Sequence, residues 1–279
     1  CRSKNSYKLG EEMKKRNFNH IELYIGAVII GLIALMAIIS LFYTPYDPNK
    51  MDLVNKFQTP SALHLLGTDQ FGRDVLSRIM VGSKLIFLVG VSSVGIALII
   101  GTTLGALGGY YGGLLDDLLM KVIEANLAFP GVLLALMLIS IFSPSIWIII
   151  LALSIMNTPR FTRVVRSGYI QYKHAEFVEA ARVTGISDLR IILVHILPNI
   201  SSSILVTSAL SFGTSILSEA GLSYLGLGLQ PPHASWGKML NESQGFMLQS
   251  PLTAIIPGVL ITLIVLGFNL IADGLRKKL

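Results

Sequence analysis

Long apolar blocks alternate with short polar stretches along the whole chain, and these blocks set its fold class. A helix needs roughly 20 apolar residues to cross a bilayer. Six blocks approach or exceed that length, at residues 21–43, 85–107, 116–142, 146–161, 198–220 and 252–272. Because only helices and closed barrels span lipid, blocks of this length predict an all-α integral membrane protein with six transmembrane helices.

The spacing of the blocks divides the chain into parts. We expect a basic cytoplasmic tail, a first transmembrane helix, an extracytoplasmic segment and a five-helix core, at residues 1–20, 21–43, 44–84 and 85–279. Within the core, residues 163–197 form a charged cytoplasmic loop. Pro130 lies in the middle of the third block, where it predicts a kink because proline removes a backbone hydrogen bond.

Composition agrees with a membrane protein. The chain is 52% hydrophobic and 14% charged, whereas soluble domains carry about 25% charged residues. We interpret the net charge of +6 as an indication of how the protein is oriented in the membrane, not as evidence of nucleic-acid binding. Lysine and arginine concentrate in both tails and between residues 160 and 190, so the positive-inside rule predicts that both termini are cytoplasmic.

Cysteine is limited to Cys1, which excludes an internal disulfide framework and a cysteine-based metal cluster. A terminal cysteine is also where bacterial lipoproteins are acylated, but no signal segment is visible. We favour a trimmed or engineered end, with a first helix that stays in the membrane.

The sequence contains no recognisable motif for metal binding, nucleotide binding or catalysis. The five histidines do not have metal-ligand spacing, and no glycine-rich phosphate loop with its Lys-Ser/Thr ending occurs. No Ser/His/Asp arrangement has support from spacing either. We therefore expect no catalytic residue, no metal site and no cofactor in this chain, and no ATP hydrolysis by it.

The charged loop itself predicts two short helices. Good helix formers run from Lys173 to Val183, Gly185 suits a left-handed C-cap, and Ser187-Asp188 suits the start of a second helix. Helical spacing assigns one face to Phe177, Ala180, Ala181 and Thr184, and another to Glu176, Glu179 and Val183. Composition alone would also fit an amphipathic connector lying on the membrane.

The spacing of Glu179-Ala180-Ala181, Gly185 and Leu197-Pro198 resembles the loop by which ABC importer permeases dock their ATPase. The general family has an aliphatic residue at the position of His195. Histidine is frequent at this position in the branch of the family that carries peptides and nickel. The resemblance implies that the ATPase-docking residues are Glu179, Ala180, Ala181, Gly185, Asp188, Leu197 and Pro198.

A second motif is similar to the second, C-type permease of dipeptide, oligopeptide and nickel importers. It includes Gly67, Thr68, Asp69, Gly72, Arg73 and Asp74. Residues 222–228, 231–237 and 269–276 are similar to that family as well. The charged members of the outer segment, with Arg78, are interpreted as an internal salt-bridge network, the alternative being contact with a substrate-binding protein.

The resemblance implies a type I ABC importer permease fold in a bacterial or archaeal cell membrane. The partners implied are membrane lipid, a second homologous permease, two cytoplasmic ATPase subunits that bind ATP and Mg, and an extracytoplasmic substrate-binding protein. Oligopeptides or dipeptides are the expected cargo, and nickel or a metal chelate is the alternative.

Small polar residues on the fifth predicted helix are candidates for the lining of the pathway, although they also suit helix packing. These are Ser208, Ser211, Thr214 and Ser215. Ionisable residues are scarce in the spans, which disfavours an ATP-independent secondary transporter. A membrane anchor for a soluble partner is a further alternative.

Overall fold

The computed structural model describes the backbone of residues 2–230 and 232–278 and the side chains of residues 21–230 and 232–278. Within these ranges the regular structure is helical. The main helices are α1 (Arg2–Ile39), α2 (Val75–Tyr111), α3 (Gly113–Ala128), α4 (Gly131–Phe142), α5 (Ile146–Tyr172), α6 (Glu176–Val183), α7 (Asp188–Arg190), α8 (Leu197–Tyr224), α9 (Trp236–Ser243) and α10 (Leu252–Lys278). A π-helical segment, Ile191–Ile196, joins α7 to α8, and single 3₁₀ turns occupy Leu53–Asn55 and Gln244–Phe246.

Five helical stretches are long and apolar enough to cross a membrane, and a sixth span exists if α3 and α4 are counted as one. The five are Ile21–Ile39, Val75–Tyr111, Ile146–Tyr172, Asp188–Tyr224 and Leu252–Lys278. Helices α3 and α4 meet at an angle of 85°. The break falls at Phe129-Pro130, so the kink expected from Pro130 is a complete interruption of the helix.

Several helix ends differ from the sequence-based bounds. Helix α2 begins at Val75, ten residues before the predicted start of its span, because the Asp74 side chain caps it by accepting the Ser77 N–H at 2.8 Å. Helix α5 continues to Tyr172, and the apolar helix that contains α8 begins at Asp188. Long helices therefore extend into both the predicted segment 44–84 and the predicted loop 163–197.

Helices α2 and α5 run parallel and approach each other closely along a row of glycines. A Cβ placed on Gly101 would lie 2.5 Å from Cβ of Phe161, and one on Gly109 would lie 2.7 Å from Cβ of Tyr169. Gly105 faces Val165 in the same way. Because glycine lacks a Cβ, the two backbones reach a separation that larger residues would prevent.

The first and last helices pack together and cover α8. Gly26 of α1 faces Gly267 of α10, and Gly274 faces Leu23. The ring of Phe268 on α10 stacks on Phe212 of α8 at a centroid distance of 4.9 Å. The chain thus closes on itself, with its two terminal helices side by side.

A buried ionic network fixes residues 44–74 to one end of the bundle, which we call the segment end. Arg73 donates to Asp69 and to Glu242, both at 2.6 Å. Arg78 lies 3.3 Å from Glu242 and 3.7 Å from Asp69. The predicted internal salt-bridge network is therefore present, but it also includes Glu242, which the sequence did not single out.

Residues 222–230 and 232–237 form a lid over the same end. The Trp236 ring is fully buried against Gly82, and its Nε1–H donates to the Ile79 carbonyl at 3.0 Å. Below it, the buried Glu219 carboxyl accepts the Ser223 hydroxyl at 2.7 Å through Oε1. Within the described residues Oε2 of Glu219 has no hydrogen-bond partner. Pro231, part of the predicted family motif, lies outside the described residues, as does Cys1.

The glycine row predicts that one alanine substitution on α2 lowers the stability of the protein and that another does not. Gly101→Ala should destabilise the protein by about 1–3 kcal/mol, since the new methyl group overlaps Phe161. Gly95→Ala is the matched control, because nothing lies within 4 Å of its Cβ position. Thermal unfolding in detergent should show a lower midpoint for Gly101→Ala alone, and equal midpoints would contradict the packing described.

The ionic network predicts a second contrast. Glu242→Gln removes a charge shared by Arg73 and Arg78 and should cost about 3 kcal/mol, because it leaves buried guanidinium groups undercompensated. Glu22→Gln breaks the exposed pair with Lys277 and should cost less than about 1 kcal/mol. Denaturant or thermal unfolding of both variants tests this. A Glu242→Gln protein as stable as Glu22→Gln would show that the network contributes little.

Candidate functional site

Residues 173–190 contain most of the predicted ATPase-docking residues, and we call them the docking segment. They lie at the opposite end of α2 from the ionic network, and we call this the loop end. Helix α6 closes with Gly185 in the left-handed conformation at φ +80°. The Gly185 N–H donates to the Arg182 carbonyl at 3.0 Å, and the Ile186 N–H donates to that of Ala181 at 3.1 Å. These two bonds form a Schellman motif, which fixes the direction in which α7 leaves.

The buried face of α6 is not the whole of either predicted face. Val178 and Ala181 are buried, and they pack with Tyr169 of α5 and Ile191 of the π-helical segment. Phe177, Ala180 and Thr184, which helical spacing places on the same face as Ala181, are exposed. Val183 is 90% exposed. The buried face is set by apolar residues from α5 and α8, whose positions the α6 sequence alone does not reveal.

Tyr110, at the end of α2, ties this segment to the bundle. Its hydroxyl donates to Asp188 at 2.5 Å, and the Arg182 guanidinium carbon lies 5.3 Å from the centre of its ring. One aromatic side chain thus contacts both α6 and α7. Sequence reasoning missed this residue, because its partner Asp188 lies 78 positions further along the chain.

The connection from the docking segment into α8 is the π-helical segment Ile191–Ile196. Tyr169 donates from its hydroxyl to the Ile192 carbonyl at 3.0 Å. The predicted docking residues Leu197 and Pro198 form the first turn of α8, and Pro198 is exposed. Single π-helical turns within α-helices are frequent at functional sites.

Helix α3 is attached to α5 by a bidentate ion pair. Nε and Nη2 of Arg166 each donate to a carboxylate oxygen of Asp116 at 2.5 Å. This is the fork geometry in which arginine binds carboxylates most strongly. The pair lies near the loop end, where it fixes the start of α3 against the end of α5.

A cavity of about 710 Å³ opens at the break between α3 and α4, with further walls from α5 and α8. Of the four candidate pathway residues, Thr214 lines it, whereas Ser211 and Ser215 are fully buried between helices. Ser215 accepts a hydrogen bond from Asn157 at 2.9 Å, and Ser208 donates to the Ile204 carbonyl within its own helix. The buried serines contribute to helix packing, the alternative that their sequence left open.

The outer-segment motif lies at the segment end, far from the docking loop. Gly67 and Gly72 have φ of +76° and +73° and shape a tight turn around Asp69. The Thr68 hydroxyl donates to the Asn55 carbonyl at 2.6 Å, and Asp74 accepts His64 at 2.9 Å in addition to capping α2. The motif builds a rigid cap on the bundle, with its charged groups turned inwards.

Comparison with known proteins agrees with this architecture. Residues 101–279 match the family model described as the inner membrane component of binding-protein-dependent transport systems. The chain is 44% identical to the dipeptide transport system permease protein DppC of Alkalihalophilus pseudofirmus, over 96% of this chain and 88% of that one. It is 41% identical to the glutathione transport system permease protein GsiD of Pectobacterium atrosepticum, over 93% and 86% of the two chains.

A solved structure shares the fold. The chain superimposes on a structure of the methionine ABC transporter MetNI in an inward-facing conformation with a TM-score of 0.56. The match covers 71% of this chain and 96% of the other, at 15% sequence identity. Helix order, family match and relatives therefore agree: the chain belongs to the inner-membrane components of binding-protein-dependent transport systems, the ABC importer permeases, and is a transport subunit rather than an enzyme.

Proposed function

We propose that this permease forms half of the translocation pathway of an ATP-driven importer for short peptides. It pairs with a second homologous permease, and two ATPase subunits, which bind ATP and Mg, dock at its loop end in the cytoplasm. A substrate-binding protein delivers cargo at the segment end. The exposed surface of α6, which presents Phe177 and Val183 together with Glu179 beside the buried link to α2, is the observation that carries this proposal.

The distribution of charge supports a cytoplasmic loop end. Lys173, Arg182 and Arg190 lie in or beside the docking segment, and residues 276–278 add three cations at the end of α10. The residues of the segment end are more nearly balanced, with acidic side chains at positions 47, 52, 69 and 74. Retention of lysine and arginine on the cytoplasmic side explains this asymmetry.

The surface of α6 and α7 suits a groove on a soluble partner. Phe177, Val183 and Leu189 are exposed at the loop end, and Glu179 lies among them. A helix of eight residues is marginal by itself in water, but here the Val178–Ala181 face and the Gly185 cap hold it in place. A rigid short helix with an apolar surface is a recurrent form of groove recognition.

The contacts of the docking segment supply a route for mechanical coupling. Displacement of α6 and α7 acts on α2 through Tyr110, and on α5 through the bond between Tyr169 and Ile192. Helix α5 in turn holds α3 through Arg166 and Asp116. ATP-driven closure of the ATPases would therefore move the helices that surround the cavity.

The relatives support peptides as the class of cargo. DppC is named for dipeptides and GsiD for glutathione, and glutathione is itself a tripeptide. The identity of over 40% extends over nearly the whole chain, including the helices that line the cavity.

Reconstitution tests the assignment directly. Captured gently from native membranes, the chain should bring with it a second permease and ATPase subunits. In liposomes this complex, supplied with its binding protein, should take up labelled dipeptide only with ATP and Mg. Uptake by this chain alone without ATP would overturn the proposal in favour of a secondary transporter, and stable capture without any transport would favour a membrane anchor.

A charge placed on the α6 surface tests the docking role. Val183→Asp should weaken ATPase binding about tenfold or more, because it buries a carboxylate in an apolar contact. Val54→Asp is the matched control, since Val54 is 93% exposed at the segment end. Co-purification of the ATPases should fail for Val183→Asp and persist for Val54→Asp, and Val183→Asp should also abolish ATP-driven uptake. Normal uptake by that variant would place the docking surface elsewhere.

A further inference from the structure

The cavity at the break between α3 and α4 carries an unbalanced positive charge. Arg160 and Arg163 both line it from α5, and the described lining contains no aspartate or glutamate. Helix α3 bears the exposed Asp117 and Glu124, but neither comes within 4.0 Å of either guanidinium among the described side chains. The two arginines are three residues apart, so they lie on one face of the helix and repel each other.

The third arginine of α5 provides an internal comparison. Arg166 is neutralised by the bidentate pair with Asp116. Arg160 and Arg163 have no such partner among residues 21–230 and 232–278. The same helix thus satisfies one guanidinium within the chain and presents two others to an open space.

Both arginine side chains are exposed on the surface of α5. Helix α5 runs from Ile146 to Tyr172, so with a rise of 1.5 Å per residue Arg160 lies about 21 Å from its first residue and about 18 Å from its last. The two guanidinium groups are therefore accessible to a ligand that enters the cavity.

The remaining surface of the cavity suits a small organic molecule with polar groups. Phe129, Val132 and Met156 supply apolar surface, while Asn126, Thr214 and Ser218 supply hydrogen-bonding groups. A volume of about 710 Å³ lies within the range of pockets that bind small ligands. The cavity therefore combines apolar walls, amide and hydroxyl groups and a cationic side.

On these grounds we propose that Arg160 and Arg163 bind the carboxylate of the cargo as it passes through the cavity. A guanidinium group matches a carboxylate with two parallel hydrogen bonds. The C-terminal carboxyl of a peptide is ionised at neutral pH. This inference rests on the proposed import of peptides and adds to it which chemical group this chain recognises.

A thiol reporter in the cavity tests the charge. The chain has one cysteine, so Thr214→Cys combined with Cys1→Ser places a single thiol among the lining residues. In the assembled transporter, with partner cysteines replaced, an anionic methanethiosulfonate should react faster than a cationic one of equal size. Arg160→Gln with Arg163→Gln should lower this rate ratio about tenfold. Arg276→Gln, which changes an exposed arginine outside the cavity, should leave the ratio unaltered.

Protection by peptides tests the ligand. Tri-alanine should slow the modification of the cysteine at position 214, and tri-alanine amide should need a concentration about tenfold higher, because it lacks the carboxylate. In the Arg160→Gln, Arg163→Gln protein the two peptides should protect alike. Ser218→Cys provides a second reporter should Thr214→Cys fail to assemble.

Three results would overturn the inference. Equal rates for the anionic and cationic reagents in the assembled transporter would show that the charge of Arg160 and Arg163 is already neutralised. A preference for the anionic reagent that is confined to the isolated chain would show that the second permease neutralises this charge. Equal protection by tri-alanine and its amide in the parent protein would exclude recognition of the carboxylate. Each is separable from the proposed function, because ATP-driven uptake and ATPase binding are measured independently of the thiol.

Discussion

The close packing of α2 against α5 is the contact on which the remaining architecture depends. Gly101, Gly105 and Gly109 let the two backbones meet along much of the bundle, so the loop end and the segment end are joined by one rigid pair. The docking segment is held at one end of this pair through Tyr110 and Tyr169. The ionic cap occupies the other end, at the start of α2.

This arrangement connects the short docking segment to the long helices of the bundle. Helix α6 makes few contacts of its own, but its buried face rests on residues of α5 and of the π-helical segment. The ion pair between Arg166 and Asp116 extends the same rigid body to α3. The 85° break between α3 and α4 interrupts the helical segment that this ion pair attaches to α5.

Sequence patterns predicted the features that follow from the need to cross a bilayer. They did not predict features that depend on contacts between residues far apart in the chain. The six apolar blocks and the interruption at Pro130 follow from chain length and backbone chemistry, and the structure has both. The predicted start of α2 came ten residues too late, because the first turns of this helix carry polar residues and lack the continuous apolar pattern of a membrane span. The buried face of α6 and the role of Glu242, which is 169 residues from Arg73, were inaccessible to local periodicity.

The pairing of α1 with α10 has a consequence for biosynthesis. Lys277 donates to Glu22, which lies 255 residues earlier in the chain. A ribosome that adds about 5–20 residues per second needs about 13–50 s to translate this stretch. Throughout that interval the groove beside Gly26 has no α10 to fill it. The first helix must therefore reside in lipid by its own hydrophobicity until α10 is available to pack against it.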